Sequence, residues 1–252
     1  MVYGIYQSAA GMLVNQYRQE VLANNLANVS TVGFKPDLAV VRERMVASKE
    51  GFVGPLGSHE VYDRMTGGSL VAPTFTSFEQ GPIVRTDNPL DVAIQADGFF
   101  AVQDGDTTRY TRDGRFTLNH EGMLITVAGG HPVLSETGTP IRLPANARGR
   151  AHIDANGEVR SGTQRFGKLG VFDFADERSL TKHGGNLLTA HTKPTPIEPN
   201  LAVRSVEQSA VDPTATMVSL IEVSRAYQLN ATMVGLADAT LGRAVNDIAR
   251  MR

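Results

Sequence analysis

The sequence predicts an α+β protein: long N- and C-terminal helices forming a coiled-coil-like inner layer, and a central antiparallel β-rich domain. Three observations predict it. Residues from Gly4 to Val29 carry no proline, and Leu22, Leu26 and Val29 recur at helical spacing. The C-terminal stretch keeps an apolar heptad seam from Leu220 to Met251. Between them, Asp97–Gly98, Asp113–Gly114, Glu121–Gly122 and Asn156–Gly157 punctuate short β-branched or aromatic runs, the pattern of antiparallel hairpins.

Residues 1–45 read as the N-terminal helix and a turn. Ile5, Ala9 and Met12 share one face, the helix stops near Ser30, Gly33 is free to take a positive φ, and Lys35 before Pro36 is extended. Residues 46–73, with "GFVGPLG", read as a glycine-rich connector. Residues 74–190 form the β-rich outer domain, and residues 191–211, with "TAHTKPTPIEPN", a second connector. Residues 212–252 form the C-terminal helix, opened by Asp212 as N-cap and Pro213 in the first turn. Its seam runs Leu220, Val223, Tyr227, Asn230, Val234, Ala237, Leu241, Ala244, Ile248, with Asn230 its single polar member. From Pro213 to Ile248 it would extend roughly 54 Å, more than a compact domain of this size needs. The two terminal helices therefore pair either with each other or with neighbouring molecules.

A net charge of −2 with scattered basic residues argues against nucleic-acid binding. No cysteine is present, which excludes disulfides and thiolate chemistry. No hydrophobic run is long enough to span a bilayer, and "MVYGIYQSAAGM" lacks the basic and apolar regions of a cleavable secretory signal.

Nothing in the sequence assembles into enzymatic chemistry, so no catalytic residue, metal site, cofactor or small-molecule substrate is expected. "GTQRFGKL" ends on Leu169 where a phosphate-binding loop needs a hydroxyl, and a strand follows it rather than a helix. "DANGE", Asp154 to Glu158, opens like a calcium loop but lacks the later ligands. The six histidines show no metal-ligand spacing, and no serine stands in a nucleophile elbow.

Three blocks carry a family resemblance. "ANNLANVSTVGFK" (Ala23–Lys35), preceded by "GIYQSAAGM", is very similar to the N-terminal signature of flagellar basal-body rod proteins, whose family also builds the hook. Phe78–Ile141, from "FEQGPIVRTDNPLDVAIQADGFFAVQ" to "GHPVLSETGTPI", is similar to the outer β domain of rod subunits. "EQSAVDPTATMVSLIEVSRAYQLN" (Glu207–Asn230) is similar to the C-terminal signature, with Ala210 where the family commonly has Asn. The wording of the middle block and the length lean toward a proximal-rod subunit, with a distal-rod subunit as the alternative. The resemblance implies export through the flagellar type III apparatus without a cleavable signal. It also implies assembly with other copies and neighbouring rod subunits in the periplasm, into the drive shaft of the basal body.

The assembly surface expected on this reading comprises Asn24, Asn25, Leu26, Asn28, Val29, Thr31, Gly33 and Phe34 at the N-terminal end. In the C-terminal helix it comprises Leu220, Arg225, Tyr227, Asn230, Val234, Leu241 and Ile248. Asn24 and Asn28, one turn apart, either fix register against a neighbour or cap the helix locally. Asn230 is either a register device or a solvated seam position, and Arg225 either pairs with a neighbour's carboxylate or lies on a solvated face.

Overall fold

The computed structural model describes residues 2–45 and 68–250, which divide into two compact units. Most of the 46–73 connector, including Gly51–Gly57, lies outside the described residues, as do His59 and Met251.

The first unit takes its residues from Met1–Ala27, Asp37–Thr76 and Asp212–Arg252. Helix α1 spans Val2–Ala27 and helix α2 spans Pro213–Arg250, and the two pack together. Helix α2 begins where the sequence places it. The Asp212 carboxylate accepts from the backbone N–H groups of Thr214 at 2.8 Å and Ala215 at 3.1 Å, and Pro213 has no N–H to leave unpaired. Gly11 is needed for the approach of the helices, because a Cβ there would come within 2.9 Å of the Asn230 amide nitrogen. Two short antiparallel ribbons complete the unit. In one, β1 (Asp37–Leu38) pairs with β4 (Phe75–Thr76); in the other, β2 (Val41–Glu43) pairs with β3 (Ser69–Val71).

The second unit is Asn28–Pro36 with Ser77–Val211. Its main sheet is antiparallel and six-stranded. The order is β15 (Leu180–Gly184), β16 (Leu187–Ala190), β8 (Thr107–Thr111), β7 (Phe99–Asp104), β14 (Val171–Asp173) and β17 (Thr195–Pro196). A three-stranded sheet holds β11 (Ala151–Ile153), β12 (Glu158–Ser161) and β13 (Gln164–Lys168) in that order. Three pairs remain: β9 (Phe116–Leu118) with β10 (Leu124–Thr126), β6 (Val92–Ile94) with β18 (Leu201–Val203), and β5 (Ile83–Arg85) with β19 (Ser205–Glu207).

Strand β7 explains where the core sits. Successive side chains on a strand point to opposite faces, so "FFAV" serves two cores at once. Phe100 and Val102 join Val92, Phe116, Leu124 and Val133 in one cluster. Phe99 and Ala101 join Tyr110, Leu134, Phe174 and Leu188 in the other. Edge-on ring pairs occur in both, Phe100–Phe116 at 5.2 Å and Tyr110–Phe174 at 4.9 Å between centroids.

Two expectations change. Glu121–Gly122 and Asn156–Gly157 do join paired strands, β9–β10 and β11–β12. Asp97–Gly98 and Asp113–Gly114 do not, because the strands they join pair elsewhere. There glycine serves close packing: a Cβ on Gly114 would lie 1.7 Å from the Val92 carbonyl oxygen, and one on Gly98 2.9 Å from the Ile197 methyl. Residues 191–211, read as a connector, contain β17, β18 and β19. Strands of two or three residues are too short to display a period of two, and Pro196 sits in an edge strand, the place in a sheet where proline is admitted.

Candidate assembly surfaces and their buried charged anchor

The asparagine-rich end of α1 divides its work. Asn25 is buried and pairs twice with the backbone of Asp37: its amide donates to the Asp37 carbonyl at 2.7 Å, and its oxygen accepts the Asp37 N–H at 3.0 Å. It thus behaves as a strand partner for β1 within the same unit. Asn28 is half-buried, and its side-chain oxygen accepts from the Thr31 hydroxyl at 3.2 Å, a local closing turn. Asn24 is exposed, while Leu26, Val29 and Thr31 are half-buried. Replacing Asn25 by Ala is expected to cost about 1–3 kcal/mol, since both Asp37 backbone groups lose their partner. Urea unfolding of the purified variant measures this, and a loss below about 0.5 kcal/mol would show that water replaces the amide.

Past α1 the chain enters the second unit and becomes buried. Gly33 takes φ +68°, and a Cβ on it would lie 2.6 Å from the Arg112 carbonyl carbon. Phe34 is buried, with the Lys182 ammonium 4.4 Å from its ring centroid, and Lys182 also donates to the Lys35 carbonyl at 2.6 Å. The Asn186 amide donates to the Val32 carbonyl at 2.7 Å. Gly33 and Phe34 are therefore occupied inside their own subunit.

At the centre of this region lies a charge cluster that sequence reasoning missed. Lys35, Arg112 and Glu207 are 2%, 3% and 1% exposed. The Lys35 ammonium donates to Glu207 Oε1 at 2.7 Å, to the Glu79 carbonyl at 2.7 Å and to the Phe78 carbonyl at 3.1 Å. These three acceptors match the three hydrogens of the charged form. Glu207 Oε1 also accepts the Gly81 N–H at 3.0 Å, and Oε2 faces Arg112 Nη1 at 3.4 Å. Arg112 donates to the Ala96 carbonyl at 3.1 Å and lies over the Phe99 ring at 4.9 Å. Burial depresses the Lys35 pKa, and the Glu207 charge opposes the shift. Burial, then the neighbouring Asp97, raises that of Glu177.

The signal for the cluster was present but scattered. Lys35 closes the N-terminal signature and Glu207 opens the C-terminal one, yet 172 residues separate them and no periodicity links them.

Helix α2 has two apolar faces. Val223 is buried, and Leu220, Tyr227, Asn230, Val234, Ala237 and Leu241 are half-buried, with Asn230 against Gly11 of α1. Ile248 lies within the helix, but its side chain is outside the described set. The opposite side carries Val218, Ile221, Leu229, Met233 and Leu236, between 52% and 68% exposed, with exposed Arg225 among them. At about 100° per residue, this stripe is centred roughly 145° from the seam. Tyr6 and Leu13 form a matching exposed pair on α1, seven residues apart. The heptad seam is thus partly covered within the chain, and the stripe that sequence reasoning passed over is the one left to solvent. Among the described residues no three His, Asp or Glu side chains converge as a metal-ligand group, and no helix is long and apolar enough to cross a membrane.

Three family models match the chain in order. Residues 5–35 match the flagella basal body rod protein model, residues 93–161 the FlgE/F/G D1 domain of flagellar hook proteins, and residues 203–247 the C-terminal FlgEFG basal body rod model. The chain is 35% identical to the flagellar basal-body rod protein FlgF of Caulobacter vibrioides over 91% of each chain. It is 32% identical to FlgF of Mesorhizobium japonicum, again over 91% of each. It is 31% identical to the flagellar basal-body rod protein FlgG of Bacillus subtilis, over 98% of this chain and 99% of that one.

Proposed function

The chain belongs to the flagellar basal-body rod family and is a structural rod subunit; from that premise we propose that it polymerises helically through its terminal helices into a torque-transmitting shaft. The observation that carries this is the uncovered stripe Val218, Ile221, Leu229, Met233 and Leu236 on α2. Contiguous exposed apolar surface on a long helix marks an interaction face, and a heterologous contact that does not close builds a filament. Each of these side chains, 52–68% exposed in the isolated chain, would contribute up to about 1–2 kcal/mol when covered by a neighbour. Arg225 would select among neighbours by charge rather than supply affinity. Asn24 and the half-buried Leu26, Val29 and Thr31 would extend the contact at the end of α1, while Leu220, Tyr227, Val234 and Leu241 would brace α2 from its other face.

Within the family we assign the proximal-rod F subunit, supported by the wording of the middle block, with the distal-rod G subunit as the alternative. The subunit reaches the periplasm through the flagellar type III export apparatus and acts without a catalytic site or cofactor. Electron micrographs of basal bodies purified from cells lacking this chain test the assignment. A rod truncated at its proximal segment is expected, a rod lacking only its distal segment would favour the G reading, and a complete rod would overturn both.

A further inference from the structure

The backbone passes between the two units four times, after Ala27, Pro36, Thr76 and Val211. On the second unit's side, these passages belong to three stretches: 28–36, 77–82 and 205–211. All three meet at the Lys35–Glu207–Arg112 cluster. Lys35 reaches Phe78, Glu79 and Glu207, and Glu207 reaches Gly81. Backbone bonds reinforce the meeting: Gly33 N–H to the Glu207 carbonyl at 2.7 Å, Ala210 N–H to the Phe34 carbonyl at 3.2 Å, Gln208 N–H to the Pro82 carbonyl at 2.9 Å and Ser77 N–H to the Pro36 carbonyl at 2.9 Å.

We propose that this cluster is a clasp that opens and closes as one element, fastening all three entry stretches to the sheet domain together. Its chemistry makes partial opening costly. Removing Lys35 from its place orphans two carbonyls and leaves a carboxylate oxygen with the Gly81 N–H alone; removing Glu207 takes the ion-pair partner from two buried cations. Each group holds the others in position, so loss of one loosens the set. The two cores on either side of β7 are apolar, and the cluster touches one of them where Arg112 lies over Phe99. Opening is thus a local event separable from unfolding. Given the rod reading above, tension carried along either terminal helix converges on the same ionic point, and the two terminal segments yield together instead of peeling one at a time.

Native-state hydrogen exchange on the full-length monomer tests this, using Glu207→Gln, Lys35→Met and the double variant. In Glu207→Gln, the amides of Gly33, Gly81, Gln208 and Ala210 are expected to exchange faster by roughly 100-fold or more, in step. The Ala101 and Leu134 amides, in the sheet core, are expected to change by less than about threefold. Adding Lys35→Met should accelerate exchange by no more than about threefold further, because the clasp is already open. Should Glu207→Gln fail to fold, Glu207→Asp retains the charge and is expected to give the same selective pattern at smaller amplitude. Acceleration of one stretch without the others would overturn the clasp, and so would equal acceleration of the Ala101 and Leu134 amides. Neither result bears on rod membership, which the basal-body images judge separately.

Discussion

Gly33→Ala is expected to lower the stability of the protein by about 2–5 kcal/mol, the largest loss from adding a single methyl anywhere in the N-terminal signature. Two terms add. At φ +68° an L side chain costs about 1–2 kcal/mol in strain. The new Cβ would also stand 2.6–2.8 Å from the backbone of Arg112 and Asp113, and forcing extra volume into packed structure costs about 1–3 kcal/mol more. Relief by shifting Gly33 stretches its 2.7 Å hydrogen bond to Glu207, so the strain reaches the charge cluster. Gly130 supplies the control. It has φ +69° but nothing within 4 Å of its would-be Cβ, so Gly130→Ala should show the strain term alone. Urea unfolding of both purified variants reads the difference. Equal losses would mean that the backbone at Arg112–Asp113 gives way and that Gly33 is chosen only for its turn.

Introducing Asp at both Leu229 and Leu236 is expected to abolish rod assembly and swimming while leaving monomer stability within about 1 kcal/mol. Both side chains are largely exposed in the isolated chain, at 68% and 58%, so a carboxylate there remains hydrated. Once a neighbouring subunit covers the stripe, the carboxylate at 236 would be buried without a counterion and the one at 229 with only Arg225, one turn away; an unpaired charge in an interface costs about 2–5 kcal/mol. Repeated along a filament, that penalty falls on every subunit. Val223→Asp makes the opposite case: at 3% exposure it should destabilise the monomer itself by several kcal/mol. Thermal unfolding of the monomers and swimming assays in complemented cells separate the two. Normal motility of the Leu229→Asp/Leu236→Asp variant would remove the stripe from the assembly surface.

Sequence and structure agree most closely where local chemistry decides. The start of α2 was legible because Asp212 and Pro213 satisfy the first turn with atoms two or three residues away. The break after α1 was legible because Gly33 supplies a backbone angle that few other residues adopt. The heptad seam was legible too, but its partner was not: spacing shows that a face is apolar, not which surface covers it. Asn25 is the sharpest instance. As one of three clustered amides it reads as a contact for a neighbour, yet its two hydrogen bonds both go to Asp37, twelve residues on.

The turns show the same division. Four Xaa-Gly pairs look alike in sequence, but only Glu121–Gly122 and Asn156–Gly157 close hairpins. At Gly98 and Gly114 glycine admits another part of the chain, and nothing nearby in sequence reports what that part is.

By itself, then, the sequence determined the two terminal helices, the N-cap of α2, the antiparallel character of the middle and the family, because each rests on interactions within a few residues or on linear motifs. Only the tertiary structure decided which side of α2 stays bare, that residues 28–36 and 201–211 are integral to the sheet-rich unit, and that Lys35, Arg112 and Glu207 share one buried site. The physical reason is that burial and charge pairing depend on proximity in space, and a lysine and a glutamate 172 residues apart carry no local mark of their meeting.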